Sequence, residues 1–134
     1  MATLDTNVLI DFLDGVQSTE KLFISIKNGD IQAKVSTLVE CELLSTSKVD
    51  ELEGYKKSVE LLLTLFDFIS VDRIIAKKAG ELRRKYKIKT PDAIIAASAI
   101  TTKDKILITN NKKDFIKIEN LNVFSPKEFS MLNG

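Results

Sequence analysis

Short apolar runs alternate with longer amphipathic stretches along this chain, and this order restricts the fold more than any other property of the sequence. A short apolar run suits a buried strand, whereas an amphipathic stretch suits a helix that packs against it. We therefore predict an α/β fold. The predicted strands are residues 2–4, 33–35, 68–71, 105–109 and 122–124. The predicted helices are one that follows Asp5 and ends at Gly15, and then residues 22–27, 37–46, 52–66, 74–86 and 93–100.

The length and composition indicate one globular domain over residues 1–134. The 134 residues include 44% hydrophobic and 29% charged residues with only 5 Gly and 2 Pro, which is typical of a chain with a packed core. The sequence begins without the basic and apolar segments of a signal peptide, and its most apolar run, residues 61–71, is too short to span a bilayer. We therefore expect a cytoplasmic protein with no membrane segment.

The absence of histidine excludes several kinds of chemistry, including the Ser-His-Asp triad, histidine-ligated zinc and RNA cleavage by paired imidazoles. The one cysteine, Cys41, cannot form an internal disulfide or a thiolate zinc site, and we interpret it as a small core residue. Any catalysis must therefore depend on carboxylates, lysine or a metal ion.

Charge is distributed unevenly along the chain, although the net charge is only +1. Residues 1–72 contain 6 basic and 13 acidic side chains, whereas residues 73–134 contain 14 basic and 6 acidic ones. The basic residues are densest in residues 73–89, where Glu81 is the only acid. Such a segment suits a polyanion, but taken alone it fits an ordinary solvated helix face better.

Several carboxylates stand where strands and helices are predicted to meet. Asp5 follows the first strand, at the edge of a parallel sheet where ligand sites form, but an Asp before a helix also serves as a cap. Asp92 would occupy the second position of a helix with Thr90 as N-cap, where the helix dipole alone favours an acid. Asp114 falls at the same sheet edge as Asp5, yet it also suits a turn.

The two glutamates of the predicted helix 37–46, Glu40 and Glu42, lie about 200° apart, so they cannot face one site together. Periodicity does not choose cleanly between them, although Glu42 shares a face with apolar neighbours. Carboxylates that converge repel one another, and a divalent cation such as Mg²⁺ or Mn²⁺ resolves that repulsion because it prefers hard oxygen ligands. Such an ion would support hydrolysis of a phosphodiester.

Four segments occur in the order of the motifs of a known family. They are Leu4-Asp5-Thr6-Asn7-Val8-Leu9-Ile10, Glu42-Leu43-Leu44, Thr90-Pro91-Asp92-Ala93-Ile94-Ile95-Ala96-Ala97-Ser98-Ala99 and Thr109-Asn110-Asn111-Lys112-Lys113-Asp114-Phe115. The first and third are specific, the second is short, and together they extend over nearly the whole chain. In this order they resemble the motifs of PIN domains, especially the VapC-type toxins of toxin-antitoxin pairs.

The resemblance implies a three-layer α/β/α sandwich with a central, mostly parallel sheet and endoribonuclease activity that leaves a 5′-phosphate. It implies Mg²⁺ or Mn²⁺ held by Asp5 and Asp92 with help from Glu42 and Asp114. The supporting polar positions that it implies are Thr6, Asn7, Thr109 and Asn111. It also implies homodimers and a cognate antitoxin, usually a small DNA-binding protein.

One departure from the family pattern is Asn110, where many relatives have arginine, and this puts a phosphate contact at that position in doubt. Lys112 or Lys113 could replace that contact. We expect the basic stretch of residues 83–89, in particular Arg83, Arg84 and Lys85, to hold the RNA backbone, because phosphate contacts bind without reading sequence.

Two other functions were weighed against a nuclease. A phosphatase of the haloacid dehalogenase kind also places an Asp at the end of its first strand, but it needs a second Asp two positions later, where this chain has Asn7. The other alternative is a catalytically silent RNA-binding or scaffold module on the same fold. The presence of all four acids argues against a silent site.

Overall fold

The computed structural model describes residues 1–133, which form a five-stranded sheet with helices packed against it. The strands are β1 (Ala2–Leu4), β2 (Ala33–Ser36), β3 (Asp67–Ile69), β4 (Ile106–Ile108) and β5 (Asn122–Phe124). Each pairs in parallel with its neighbours, in the order β3-β2-β1-β4-β5. The parallel sheet confirms the predicted three-layer α/β/α architecture, and every predicted strand is present.

Helices connect the strands, as parallel pairing requires. The helices are α1 (Thr6–Leu13), α2 (Glu20–Lys27), α3 (Thr37–Leu44), α4 (Lys48–Glu51), α5 (Tyr55–Leu63), α6 (Arg73–Tyr86), α7 (Thr90–Ile100) and α8 (Pro126–Asn133). Two 3₁₀ turns, Gln17–Thr19 and Lys112–Asp114, complete the described elements. Within residues 1–133, no helix is long and apolar enough to cross a membrane.

The core lies where α7 packs against β1, β2 and β4. Alanines make up much of this helix, and Ala93, Ala96, Ala97 and Ala99 are fully buried. Small side chains let the helix axis approach the sheet closely, and the central strand β1 is itself buried over its whole length. This packing fixes the start of α7, and with it Asp92, relative to the ends of the central strands.

The region after α3 differs from the prediction of one helix over residues 52–66. The structure has two helices, α4 and α5, separated at Leu52 and the following residues. Gly54 has φ 81°, a left-handed conformation that interrupts a helix and that glycine adopts without strain. The expected apolar face therefore shortens, because Leu52 is 53% exposed whereas Val59 is buried.

Two smaller predictions were wrong. Cys41 is exposed rather than in the core, because it lies about 200° around α3 from the buried residues Val39 and Leu43. Thr90 is not the N-cap of α7, because the helix begins at Thr90 itself and Lys89 occupies the cap position without a side-chain hydrogen bond.

Helix α8 was not predicted, although the sequence contains a signal for it. The Ser125 hydroxyl accepts from the Glu128 backbone N–H at 3.1 Å, and the Glu128 carboxylate accepts from the Ser125 N–H at 2.9 Å. This reciprocal pair is a capping box, which the spacing Ser-x-x-Glu indicates.

Candidate active site

Asp5 lies at the carboxyl end of the central strand β1, beside the end of β4. Leu4 and Ile108 are paired in register, so the next residues, Asp5 and Thr109, lie side by side. The Asp5 N–H donates to the Ile108 carbonyl at 3.0 Å, and the Thr109 hydroxyl donates to Asp5 Oδ2 at 2.8 Å. The register of two parallel strands therefore places a hydroxyl donor against this carboxylate.

Asp5 is also the N-cap of α1, so the two roles considered for it coexist. Its Oδ1 accepts from the Thr6 N–H at 2.8 Å, and its Oδ2 accepts from the Asn7 side-chain amide at 3.2 Å. The residue is only 7% exposed, and the side chains that bond to it are neutral. The negative charge of Asp5 is thus fixed in orientation but not neutralised.

Asn7 links Asp5 to the loop after β4. Its Oδ1 accepts from the Asn110 N–H at 3.2 Å, and the Asn111 N–H donates to the Thr109 hydroxyl at 3.0 Å. The Asn110 side chain donates to Asp11 at 2.5 Å, so this residue, which replaces the arginine of many relatives, ties the loop to α1. Sequence reasoning missed Asp11, although it lies one helical turn after Asn7 and thus on the same face of α1.

Glu42, rather than Glu40, faces Asp5 across the site. The Thr6 hydroxyl donates to Glu42 Oε1 at 2.5 Å, whereas Glu40 is exposed on the opposite side of α3. Ser36 caps α3 by accepting from the Leu38 N–H at 3.1 Å, which fixes the start of the helix at the end of β2. The choice that periodicity left open is therefore decided by a contact between α1 and α3.

The carboxylates influence one another electrostatically. Burial raises the pKa of Asp5, the hydrogen bonds from Thr109 and Thr6 oppose this rise, and the charges of Asp92 and Glu42 add to it, so that the pKa lies at about 6. Burial also raises the pKa of Asp92, the charges of Asp114 and Glu42 add to this rise, and Lys89 opposes it. The site is therefore short of positive charge in its interior.

Two adjoining clefts share the Asp92 side chain. The first, which we call the carboxylate cleft, has a volume of about 370 Å³. It is lined by Asp5, Thr6, Asn7, Ile10, Glu42, Ser45, Pro91, Asp92, Ile95 and Asn111. The second, which we call the lysine cleft, has a volume of about 300 Å³. It is lined by Tyr86, Lys87, Ile88, Lys89, Asp92, Lys113, Asp114, Lys117 and Ile118. Three of the four acids thus meet in one cleft, and Asp114 lies across Asp92 in the other.

The carboxylate cleft fits a hard divalent cation. Its ionisable ligands are all oxygen atoms, and the buried charge of Asp5 has no cationic partner. Within residues 1–133, no three Asp, Glu, Cys or His side chains converge closely enough to form a complete protein cage. Mg²⁺ does not need such a cage, because it usually keeps several waters and takes one or two carboxylates. Asp5 and Asp92 therefore fit the one or two carboxylates that such an ion takes.

The basic residues nearest the acids include only part of the predicted basic stretch of residues 83–89. Arg83, Arg84 and Lys85 line neither the carboxylate cleft nor the lysine cleft. The Arg83 Nε donates to the Ile88 carbonyl at 3.2 Å, and the Lys85 Nζ lies 3.6 Å from a Glu119 carboxylate oxygen. The four lysines that line the lysine cleft come from two segments, the α6–α7 connection and the chain after β4. Lys87 and Lys89 belong to the dense basic segment, whereas only the fold brings Lys113 and Lys117 beside them.

Comparisons with known proteins agree with this fold and site. The PIN domain family model matches residues 2–121. No curated relative of the chain was found. A chain of the "Toxin-antitoxin complex from Klebsiella pneumoniae" is 31% identical with a TM-score of 0.77, and the match covers 96% of this chain and 99% of that one.

Two further solved structures are similar over most of the chain. One is VapBC2 from Rickettsia felis bound to a DNA fragment from its promoter, with 26% identity, a TM-score of 0.76, and 92% of this chain and 97% of that one covered. The other is DNA-bound VapBC from Salmonella typhimurium, with 20% identity and a TM-score of 0.78, which shows the fold alone. That match covers 93% of this chain and 97% of the other. The motifs, the parallel sheet and the match over residues 2–121 together establish that this chain belongs to the PIN domain family.

Proposed function

We propose that the chain is a Mg²⁺- or Mn²⁺-dependent endoribonuclease and that it is the toxin of a toxin-antitoxin pair. The observation that carries the nuclease proposal is the carboxylate cleft, where a buried and uncompensated Asp5 meets Glu42 and Asp92. Membership of the PIN domain family supports the same reaction. The toxin role rests on the similarity to a chain of a toxin-antitoxin complex.

The side chains of the cleft have distinct roles in the proposed reaction. A divalent cation bound here lowers the pKa of water and neutralises charge that develops on the phosphodiester oxygens. Asp5 and Asp92 hold this cation, and the hydrogen bonds from Thr109 and from the Thr6 N–H keep the Asp5 carboxylate in one orientation. The Thr6 hydroxyl orients Glu42 in the same way.

Asp114 serves the cleft from the far side of Asp92. It lines the lysine cleft together with Asp92, and its charge raises the pKa of Asp92. The product expected from attack by water is a 5′-phosphate end. The proposed protein partner is a cognate antitoxin, and a homodimer stays a prediction from the family resemblance.

The test uses purified protein with structured RNAs in Mn²⁺, Mg²⁺ or EDTA, followed by mapping of the product ends. Asp5→Asn should reduce cleavage by about 100-fold or more, because even the loss of a residue that only orients a ligand commonly costs 10- to 100-fold. Glu42→Gln should also reduce cleavage. Glu40→Gln is its matched control, since it makes the same change on the opposite face of α3 and should leave the rate unchanged.

Cleavage that needs metal, leaves 5′-phosphate ends and fails in the Asp5→Asn variant would support the proposal. Absence of cleavage of any RNA, together with absence of metal binding by calorimetry, would contradict it. That result would favour the alternative of a silent RNA-binding or scaffold module.

A further inference from the structure

The lysine cleft has a concentration of positive charge that the proposed chemistry does not use. Lys87, Lys89, Lys113 and Lys117 are all exposed, and they line the cleft that shares Asp92 with the carboxylate cleft. None of the four takes part in an ion pair within residues 1–133. Their charges are therefore available to a ligand.

Two neighbouring lysines differ, because each already forms an ion pair within the protein. Lys85 lies 3.6 Å from Glu119, and Lys112 lies 2.9 Å from Glu128. Both of these lysines are close in sequence to lysines of the cleft, yet their charges are compensated by acids outside it. The structure thus separates paired lysines from a group of unpaired ones, and the unpaired group lies beside the proposed catalytic acids.

The backbone at Lys87 supports a ligand role for its side chain. Lys87 ends α6 in the left-handed conformation, with φ 59° and ψ 34°, a position where helices most often have glycine. The connection is held in place from α6, since the Arg83 Nε donates to the Ile88 carbonyl. A lysine at this position strains the backbone where a glycine would not, and strain of this kind commonly marks a functional position.

We infer that the lysine cleft binds backbone phosphates of the same RNA strand that is cut at the carboxylate cleft. This inference rests on the proposed nuclease function. The RNA strand would run from one cleft to the other past Asp92, which lines both. Lysine ammonium groups bind phosphate as point charges, and they do so without reading the base sequence. The group replaces Arg83, Arg84 and Lys85 as the expected phosphate contacts.

The first measurement is binding of a short, fluorescein-labelled, single-stranded RNA of mixed sequence, followed by fluorescence anisotropy over a series of salt concentrations. All variants carry Asp5→Asn, so that the RNA stays intact. Each lost phosphate contact should reduce the slope of log K against log salt by about 0.7 for a single strand. We expect this reduction for Lys87→Gly and about twice this reduction for Lys113→Ala with Lys117→Ala.

Lys87→Gly separates a binding role from a structural one. If Lys87 only ends the helix, glycine should serve at least as well, and both the melting temperature and RNA binding should be retained. If Lys87 binds phosphate, the melting temperature should be retained or raised while RNA binding weakens. Lys105→Gly is the matched control, because Lys105 also has a left-handed backbone, with φ 51°. Lys105 directly precedes β4, at the amino end of the strand, whereas the proposed catalytic acids lie beyond the carboxyl ends.

The second measurement restores Asp5 and follows RNA cleavage in Mn²⁺. The lysine variants should raise KM with little change in kcat, because they remove binding that is the same in the ground state and the transition state. RNA binding and cleavage that are unchanged in both lysine variants would overturn the inference and leave the nuclease proposal intact. If the protein never cleaves RNA but its salt-dependent RNA binding is lost in the lysine variants, the inference stands and the nuclease proposal fails.

An acidic protein segment is the other polyanion that could occupy the lysine cleft. A poly-glutamate peptide, used as a competitor, should displace the labelled RNA poorly if the cleft favours phosphates. If the peptide displaces the labelled RNA as effectively as unlabelled RNA of the same charge does, the inference is overturned.

Discussion

The buried carboxylate of Asp5 should make the metal-free protein less stable as the pH rises. Its pKa is raised from 3.8 to about 6 in the folded protein, mainly by burial, so the folded state binds more protons than the unfolded state between these values. The free energy of unfolding should therefore fall as the pH rises through this window. At about 1.4 kcal/mol for each tenfold change in proton affinity, the whole effect is about 3 kcal/mol.

Asp5→Asn should abolish this fall. Asparagine is also a good N-cap, so the variant should fold, but it cannot ionise. Between about pH 4 and about pH 7.5, the free energy of unfolding of the wild type should decrease by about 2.4 kcal/mol relative to Asp5→Asn. We base the test on this change rather than on the absolute difference, because asparagine rearranges the hydrogen bonds to Thr109 and Asn7.

The assay is urea unfolding in EDTA, followed by circular dichroism at several pH values. Asp67→Asn, which changes an exposed carboxylate on β3, controls for the loss of one negative charge. Parallel curves of the free energy of unfolding against pH for the wild type and Asp5→Asn would refute the reasoning. They would mean that Asp5 has the same pKa in the folded and unfolded states.

Three further predictions follow from the same contacts. Mn²⁺ at about pH 7.5 should raise the melting temperature of the wild type but not of Asp5→Asn, because only the folded wild type holds the ion. An equal rise in both proteins would contradict Asp5 as a ligand of the ion. Thr109→Val removes the hydroxyl that donates to Asp5 and leaves the Asn111 N–H without its acceptor. It should therefore raise the pKa of Asp5 further and destabilise the protein by about 1–3 kcal/mol. Urea unfolding measures this change, and no loss of stability would count against the contact. Hydrogen bonds from Ser125 and Lys112 lower the pKa of Glu128 to about 2, so Glu128→Gln should lower the melting temperature above about pH 4.5, and the difference from the wild type should vanish as the pH falls towards 2. A difference that persists at the lowest pH would show that the capping box does not depend on this charge.

Local patterns in the sequence were sufficient to predict the strands and the position of Asp5. Each strand is a short apolar run between turn residues, and Asp5 follows the first run directly, so both features depend on neighbours along the chain. The start of α7 was predicted only to within one residue, because local preference favours Thr90 as the N-cap whereas the helix begins at Thr90 itself. The capping box of α8 was equally local and was available in the sequence, so its omission was an error of interpretation.

The arrangement of the site depends on residues far apart in the sequence, and local patterns cannot fix it. Helical periodicity placed Glu40 and Glu42 on opposite faces of α3, but only the contact with Thr6 on α1 shows that Glu42 faces the site. Cys41 was misplaced for a related reason, since the side of α3 that is buried depends on which elements pack against it.

The sequence by itself determined the fold class and the family motifs, because these follow from patterns that are written along the chain. Only the tertiary structure decided that Asp114 lies across Asp92 from Asp5, and that the free lysines beside them are Lys87, Lys89, Lys113 and Lys117. The physical reason is that parallel pairing of β1 with β4 and packing of α7 on the sheet join segments about a hundred residues apart, as the bond between Thr109 and Asp5 shows.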